Sequence, residues 1–173
     1  MAIRDIVLMG DPVLRQEAED VTVFDAALRA LVRDMYETMY HADGIGLAAP
    51  QIGIAKRVLV VDLRRADEDD DEPPKVALIN PKIVWSSDET YRASEGCLSI
   101  PGIEEIVERP FAIRVEGRDV NGNEVVVEAE DLFGRALQHE IDHLDGILFL
   151  DRVSALKRKI LLKKWKKLEP ERV

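Results

Sequence analysis

Residues 138–143 read Gln-His-Glu-Ile-Asp-His, and no other stretch restricts the fold as much. On a helix, residues four apart stand one above the other, so His139 and His143 present two imidazoles on one face. Glu140 follows the first of them, where its carboxylate reaches a water held by a divalent metal. Such a metal lowers the pKa of its water, and the carboxylate takes the proton and later delivers it. The fold must therefore place this helix centrally and bring it a third ligand from elsewhere in the chain.

Candidates for that ligand are few. The extended pattern H-E-x-x-H-x-x-G-x-x-H finds Gly146 at its glycine but Phe149 where the third histidine belongs. A downstream glutamate on a following helix would have to be Glu169 or Glu171, both in a charged terminus behind a lysine run. Cys97 fits better. It lies in the turn-rich segment Glu95-Gly96-Cys97-Leu98-Ser99-Ile100-Pro101-Gly102, and a thiolate with two imidazoles leaves a fourth position for water. A lone cysteine is more often a small buried hydrophobe; here the metal-seeking helix reverses that expectation. A second feature is Gly44-Ile45-Gly46-Leu47-Ala48-Ala49-Pro50-Gln51-Ile52-Gly53, just after a predicted helix. Gly44 and Gly46 suit a helix end with positive φ, and small residues let a ligand approach the backbone. It lacks the G-K-[ST] ending of a phosphate loop. The Gln51 amide offers a donor for a developing oxyanion.

The 173 residues suffice for one domain, taken as 1–173 with 154–173 as a basic helical tail. Asp25 caps a predicted helix over roughly 25–42, with Leu28, Leu31, Val32, Met35, Tyr36 and Met39 on one face. Val58–Val61 and Val76–Ile79 read as strands, the latter ended by Asn80-Pro81, and Ile83–Trp85 as another. The runs Phe111–Gly117 and Glu124–Glu128 flank Asn121-Gly122, a strong hairpin signal. Further helices are expected from Asp131 to about Leu144 and from Ser154 to about Leu168. The fold class is α+β: antiparallel sheets packed around the central helix that bears the histidines, with an N-terminal and a C-terminal helix. Six consecutive acidic residues at 67–72, followed by Pro73-Pro74, read as a solvated loop.

Charge is unevenly placed. The net charge is −10, yet residues 152–173 alone hold nine Lys/Arg against two Glu, leaving a body at −17. Such a body repels phosphates, which argues against sequence-specific nucleic-acid binding and leaves the tail as the dock for an anionic partner. In that tail Val153, Leu156, Ile160, Leu161, Lys164 and Leu168 are expected on one stripe facing the body. No apolar run approaches the roughly 20 residues of a membrane helix, and the N-terminus lacks the apolar region of a secretory signal. One cysteine permits no internal disulfide, and a reducing cytoplasm is the expected location.

Taken together, GIGLAAPQIG, EGCLS and QHEIDHLDG resemble the three signature motifs of the peptide deformylases, in this order and spacing, over nearly all of residues 1–160. The resemblance implies an enzyme that hydrolyses the N-formyl group from the initiator formyl-methionine of nascent polypeptides and releases formate. It makes Cys97, His139 and His143 the metal ligands and Glu140 the general acid/base. Gln51 and the backbone N–H of Leu98 become the oxyanion donors. Gly44, Ile45, Gly46, Leu132 and Ala136 become substrate-binding positions, while Glu95 and Arg109 take supporting roles. It implies one divalent ion per chain, Fe²⁺ in the cell, with Zn²⁺, Ni²⁺ or Co²⁺ able to occupy the site; spacing alone would suggest zinc. It also implies contact with the ribosome through the basic C-terminal helix. Two details depart from the family pattern: the acidic run 67–72, and Glu104 and Glu105 where some relatives place a basic residue that holds the peptide. An internal metallopeptidase and a metal-stabilised binding module are the alternative readings of the same residues.

Overall fold

A computed structural model describes residues 2–64 and 73–168. The acidic run 67–72 lies outside them, as do Glu169 and Glu171. The chain begins with helix α1 (Ala26–His41) and strands β1 (Gly46–Ala48), β2 (Val58–Asp62) and β3 (Lys75–Ser86). Strands β4 (Thr90–Gly96), β5 (Glu104–Pro110), β6 (Ala112–Arg118) and β7 (Glu124–Glu130) follow, then helices α2 (Asp131–Leu144) and α3 (Ala155–Leu168). One sheet runs in the order β1-β2-β3-β6-β7 and a second pairs β4 with β5, all antiparallel. The architecture is the expected α+β.

Local chemistry explains most of the boundaries. Asp25 accepts a hydrogen bond from the Leu28 N–H and starts α1, whose buried face carries Leu28, Val32, Met35 and Met39. The β6–β7 hairpin turns at Asn121-Gly122, where Gly122 takes φ +85° and the Asp119 carboxylate accepts the N–H groups of Asn121 and Asn123. Ser154 caps α3 by accepting the Lys157 N–H.

Asn80-Pro81 does not end a strand as expected. Strand β3 passes straight through it, and Val76–Ile79 and Ile83–Trp85 are two halves of one element. The cost is a bulge: Asn80 sits at φ +53° and the register against β6 slips between Ile79 and Lys82. Both the side-chain oxygen and nitrogen of Asn80 bond to the Val21 backbone, which holds this strained residue. Opposite it, a Cβ on Gly117 would come within 3.1 Å of the Ile79 carbonyl, so glycine is needed there.

Strands β4 and β5 were not legible in the sequence. Their side chains are mostly polar, and only alternate positions such as Glu95, Val107 and Arg109 turn inward. The two sheets sandwich α2, in which every residue from Gly134 to Leu144 is buried. The α3 stripe also differs from expectation. Leu161 and Trp165 are buried, whereas Leu156 and Ile160 are 70% and 57% exposed. Trp165, not Ile160, completes the buried face, because α3 packs by its C-terminal half against Ile100, Ile103 and Phe149. No helix among the described residues is long and apolar enough to cross a membrane.

Candidate metal centre

Helix α2 delivers His139, Glu140 and His143 to the interior, and the turn after β4 delivers Cys97. The ligand atoms of Cys97, His139 and His143 all lie within 4.8 Å of one another. Cys97 Sγ stands 3.3 Å from His143 Nε2. Phe149, at the position where a third histidine was sought, is fully buried and stacks on the His139 ring at 6.1 Å between centroids.

The imidazole of His139 is oriented from behind. Its Nδ1 lies 2.9 Å from Glu95 Oε1, which leaves Nε2 to face Cys97. Glu95 is itself held by Arg109 through bonds of 2.6 and 2.9 Å and by Arg135 at 2.5 Å. Arg109 reaches on to Asp142 at 2.9 Å, and Arg152 grips the same carboxylate through two further bonds. Glu95, Arg109 and Arg135 are almost wholly buried, so each charge is balanced within a closed network. Burial opposes the charge on Glu95, but hydrogen bonds from His139 and Arg109 outweigh it and bring Glu95 down to about 2. Arg135 and Asp142 were not anticipated. Arg135 stands four residues before His139, so the same helical spacing that paired the histidines would have placed it on their face.

Glu140 has the opposite environment. Burial raises its pKa to about 7, with Glu95 and Asp142 adding to that effect and His139 and Arg109 opposing it. Its Oε1 is buried and has no hydrogen-bond partner, an uncommon state for a native carboxylate and one that marks a place for a water or ligand. His143 is pushed well below the ordinary histidine range by burial first and by the neighbouring His139 and Arg109. Two imidazoles and a cysteine sulfur form a donor set that suits a borderline or soft divalent metal, and the unpartnered Glu140 oxygen stands beside it.

Gln51 lies in a short 3₁₀ turn after β1. Its Oε1 accepts the Ala48 N–H at 2.9 Å, which aims Nε2 at Ser99 Oγ (3.2 Å) and Cys97 Sγ (3.5 Å). Gly44, Ile45, Gly46, Gln51, Cys97, Leu98, Leu132, Ala136, His139 and Glu140 all line one cavity of about 560 Å³, and His143 sits behind it. Gly44 and Gly46 are glycine for a different reason from the one expected. Neither has positive φ; Asp43, at φ +59°, makes the turn after α1. A Cβ on Gly46 would lie 2.5 Å from Glu140 Oε2, and one on Gly44 would lie 2.7 Å from Leu98 Cδ1. Small residues here keep room for the carboxylate and for the cavity.

An enclosed helix that carries two histidines and a glutamate, met by a cysteine from a neighbouring sheet, defines a metallohydrolase class of site on an α+β fold. The family model of the polypeptide deformylases matches residues 3–159. The peptide deformylase of Acidobacterium capsulatum is 50% identical over 169 residues, covering 98% of this chain and 97% of that protein. Among solved structures, the peptide deformylase of Ehrlichia chaffeensis superposes with a TM-score of 0.90 at 41% identity, covering 98% of each chain. That of Synechococcus elongatus in complex with actinonin gives 0.85 at 47% identity, over 93% of this chain and 86% of that one. The chain belongs to the polypeptide deformylase family, metal-dependent hydrolases that remove the formyl group from the N-terminus of nascent polypeptides.

Proposed function

We propose that Cys97, His139 and His143 hold one divalent metal ion and that residues 1–173 work as a single catalytic unit around it. The observation that carries this reading is Glu140, a buried carboxylate with an unpartnered oxygen beside the three-ligand cluster. When bound, the ion supplies Lewis acidity and an acidified water. Glu140, poised near 7, takes the proton of the attacking water and returns it to the amine nitrogen as the formamide C–N bond breaks. The Gln51 Nε2 amide and the Leu98 N–H donate to the oxygen of the formyl carbon as it becomes tetrahedral. Among the described residues the Leu98 N–H makes no hydrogen bond, which leaves it available for this. Formate and a free α-amine leave. Glu95 acts through His139, holding the tautomer that offers Nε2.

The substrate chain lies in the cavity as an extended strand. Strand β1 is an edge strand of its sheet and, among the described residues, β4 pairs with β5 alone, so Gly46 and the outer edge of β4 offer backbone on two sides of the same cavity. The Gly44 N–H and Ile45 carbonyl are already bonded to Met39 and Asp62. Ile45, Leu132 and Ala136 contribute the apolar wall that takes the methionine side chain. Formate release from a formyl-Met tripeptide by metal-loaded protein, with Glu140→Gln beside it, tests the assignment. Turnover by the parent and loss of at least ~100-fold in a variant that keeps its metal is the expected result. Equal turnover by both would overturn the role of Glu140.

The native ion is Fe²⁺, with Zn²⁺, Ni²⁺ or Co²⁺ as replacements, and the enzyme works in the cytoplasm, where nascent chains emerge. A thiolate beside ferrous iron oxidises readily, so activity should decay under oxygen but not under argon. Equal decay in both would count against iron. The outward lysines of α3, among them Lys159, Lys163, Lys166 and Lys167, dock on ribosomal RNA. Because Leu161 and Trp165 belong to the core, the test is reversal of these exposed charges, not deletion of the helix. Co-sedimentation with ribosomes at low salt should be lost; unchanged co-sedimentation would overturn the dock.

A further inference from the structure

The two groups assigned to the formyl oxygen come from separate turns. Gln51 follows β1 and Leu98 follows β4, strands of different sheets. The segment Ile6–Met9 bridges those turns. Its Val7 N–H donates to the Gln51 carbonyl and, two residues on, its Met9 N–H donates to the Ser99 carbonyl, each at 2.8 Å. The side chains of the segment enter two different parts of the core. Ile6 packs with Ala49 and Ile52, whereas Leu8 and Met9 pack with Ile100 and Phe149.

A third link is made by side chains. Gln51 Nε2 donates to Ser99 Oγ at 3.2 Å, and the two residues are 1% and 0% exposed. The Ala48 N–H donates to Gln51 Oε1 and so fixes which way the amide points. Reversed, the amide would set Nε2 against that N–H, donor against donor. Ser99 therefore takes one of the two Nε2 protons, and the other is left on the side of Cys97, whose Sγ is 3.5 Å away and which lines the cavity. Val7, Met9, Ser99 and Gln51 close a ring of three hydrogen bonds that holds Gln51 by its backbone and its side chain together.

We propose that Ser99 is a positioning residue for the reaction: with the Ile6–Met9 segment it locks the Gln51 amide at a fixed separation from the Leu98 N–H, so that both donors meet the oxygen of the formyl carbon at once. The inference rests on the deformylase reading and on the part Gln51 plays in it. Ser99 is fully buried and acts through Gln51. The last torsion of a glutamine side chain is soft. An amide that keeps only its Ala48 anchor therefore samples orientations in which the second N–H misses the oxyanion. Outright removal of an oxyanion donor costs about 10²–10³-fold in kcat. Loosening one should cost about tenfold in kcat with KM unchanged, because the bond it weakens strengthens in the transition state.

The experiment measures kcat and KM for formate release from a formyl-Met tripeptide by the metal-loaded parent, Ser99→Ala, Gln51→Ala and the double variant, with metal content and thermal midpoint recorded for each. Ser99→Ala should lower kcat about tenfold when Gln51 is present and less than about twofold when it is not. A purely structural role would give the same loss in both backgrounds. That result, or parental kcat in Ser99→Ala, overturns the proposal. A second arm does not depend on how Ser99→Ala folds: replacing the Val7 amide by an ester removes one N–H and no side chain, and opens the same ring. It should lower kcat in the parent and not in Gln51→Ala; an equal loss in both, or none in either, overturns the proposal and leaves the deformylase reading intact. Parental kcat in Gln51→Ala removes the donor on which the inference stands, and no formate from the parent overturns the deformylase reading itself.

Discussion

Gly46→Ala offers a direct test of how the site is built. The residue has ordinary backbone angles in β1, so alanine is conformationally allowed. The new methyl would stand 2.5 Å from Glu140 Oε2 and 3.1 Å from its Cγ and Cδ, where ordinary contact begins near 3.4 Å. The carboxylate must therefore move by about 0.9 Å, and a displacement of that size at a reacting group costs ~100-fold, or ~2.7 kcal/mol of barrier. What moves is the end of a flexible side chain, not backbone, so folding is little affected. The assay is kcat for formate release, normalised to metal content, with the thermal midpoint as a control. Gly44→Ala is the comparison: its methyl meets Leu98 Cδ1, a side-chain tip that can swing aside without touching Glu140, so most of the activity should remain. Parental kcat in metal-loaded Gly46→Ala would refute the reasoning, and so would a loss that tracks lost metal.

Three further outcomes follow from the charges. Glu95→Gln leaves Arg135 buried without a counter-charge and Arg109 with Asp142 alone, which should cost ~3–5 kcal/mol and lower the thermal midpoint by roughly 10 °C. Arg114→Ala, which breaks the exposed pair with Glu128, should change it by less than ~1 kcal/mol; comparable losses in the two variants would contradict the buried network. Asp151 links the turn at Phe149–Arg152 to Arg15: burial opposes its ionisation, but the Arg15 hydrogen bond and the Leu148 N–H outweigh it and hold its carboxyl below the usual range. With the folded pKa depressed, this stabilisation is full above the unfolded value of 3.8 and is lost as pH falls through the folded one. The stability gap between parent and Asp151→Asn should therefore be wide at pH 7 and narrow below about pH 4 in thermal melts, and a gap independent of pH would reject the assignment. Chelation should abolish activity and lower the thermal midpoint together, with both restored by Ni²⁺ or Fe²⁺, because a bound ion stabilises only the folded cluster.

Much of this protein is written in signals that act over a few residues. Helical spacing set His139 and His143 on one face, Asp25 marked the start of α1, and Asn121-Gly122 marked the β6–β7 turn. Each of these depends on neighbours in the chain, so the sequence alone determines them; Cys97, Gln51 and the glycines Gly44 and Gly46 were candidates from their setting, and the family motifs added Ile45, Leu132, Ala136 and the Leu98 N–H. Errors arose where long-range pairing overrode a local signal. Asn80-Pro81 has the chemistry of a strand end, yet pairing with β6 carries β3 through it as a bulge. Strands β4 and β5 lack apolar alternation, because their inward positions include Glu95 and Arg109, which are paired with each other.

The tertiary structure decided which groups meet. Glu95 behind His139, Asp142 shared by Arg109 and Arg152, Glu140 against Gly46 and α3 over the cysteine turn all join residues far apart in sequence. None of these encounters leaves a periodic trace, because each depends on the packing of whole elements. Burial then supplies what no spacing can: the same residue type is held near 2 as Glu95, inside a ring of cations, and near 7 as Glu140, with one oxygen left without a partner.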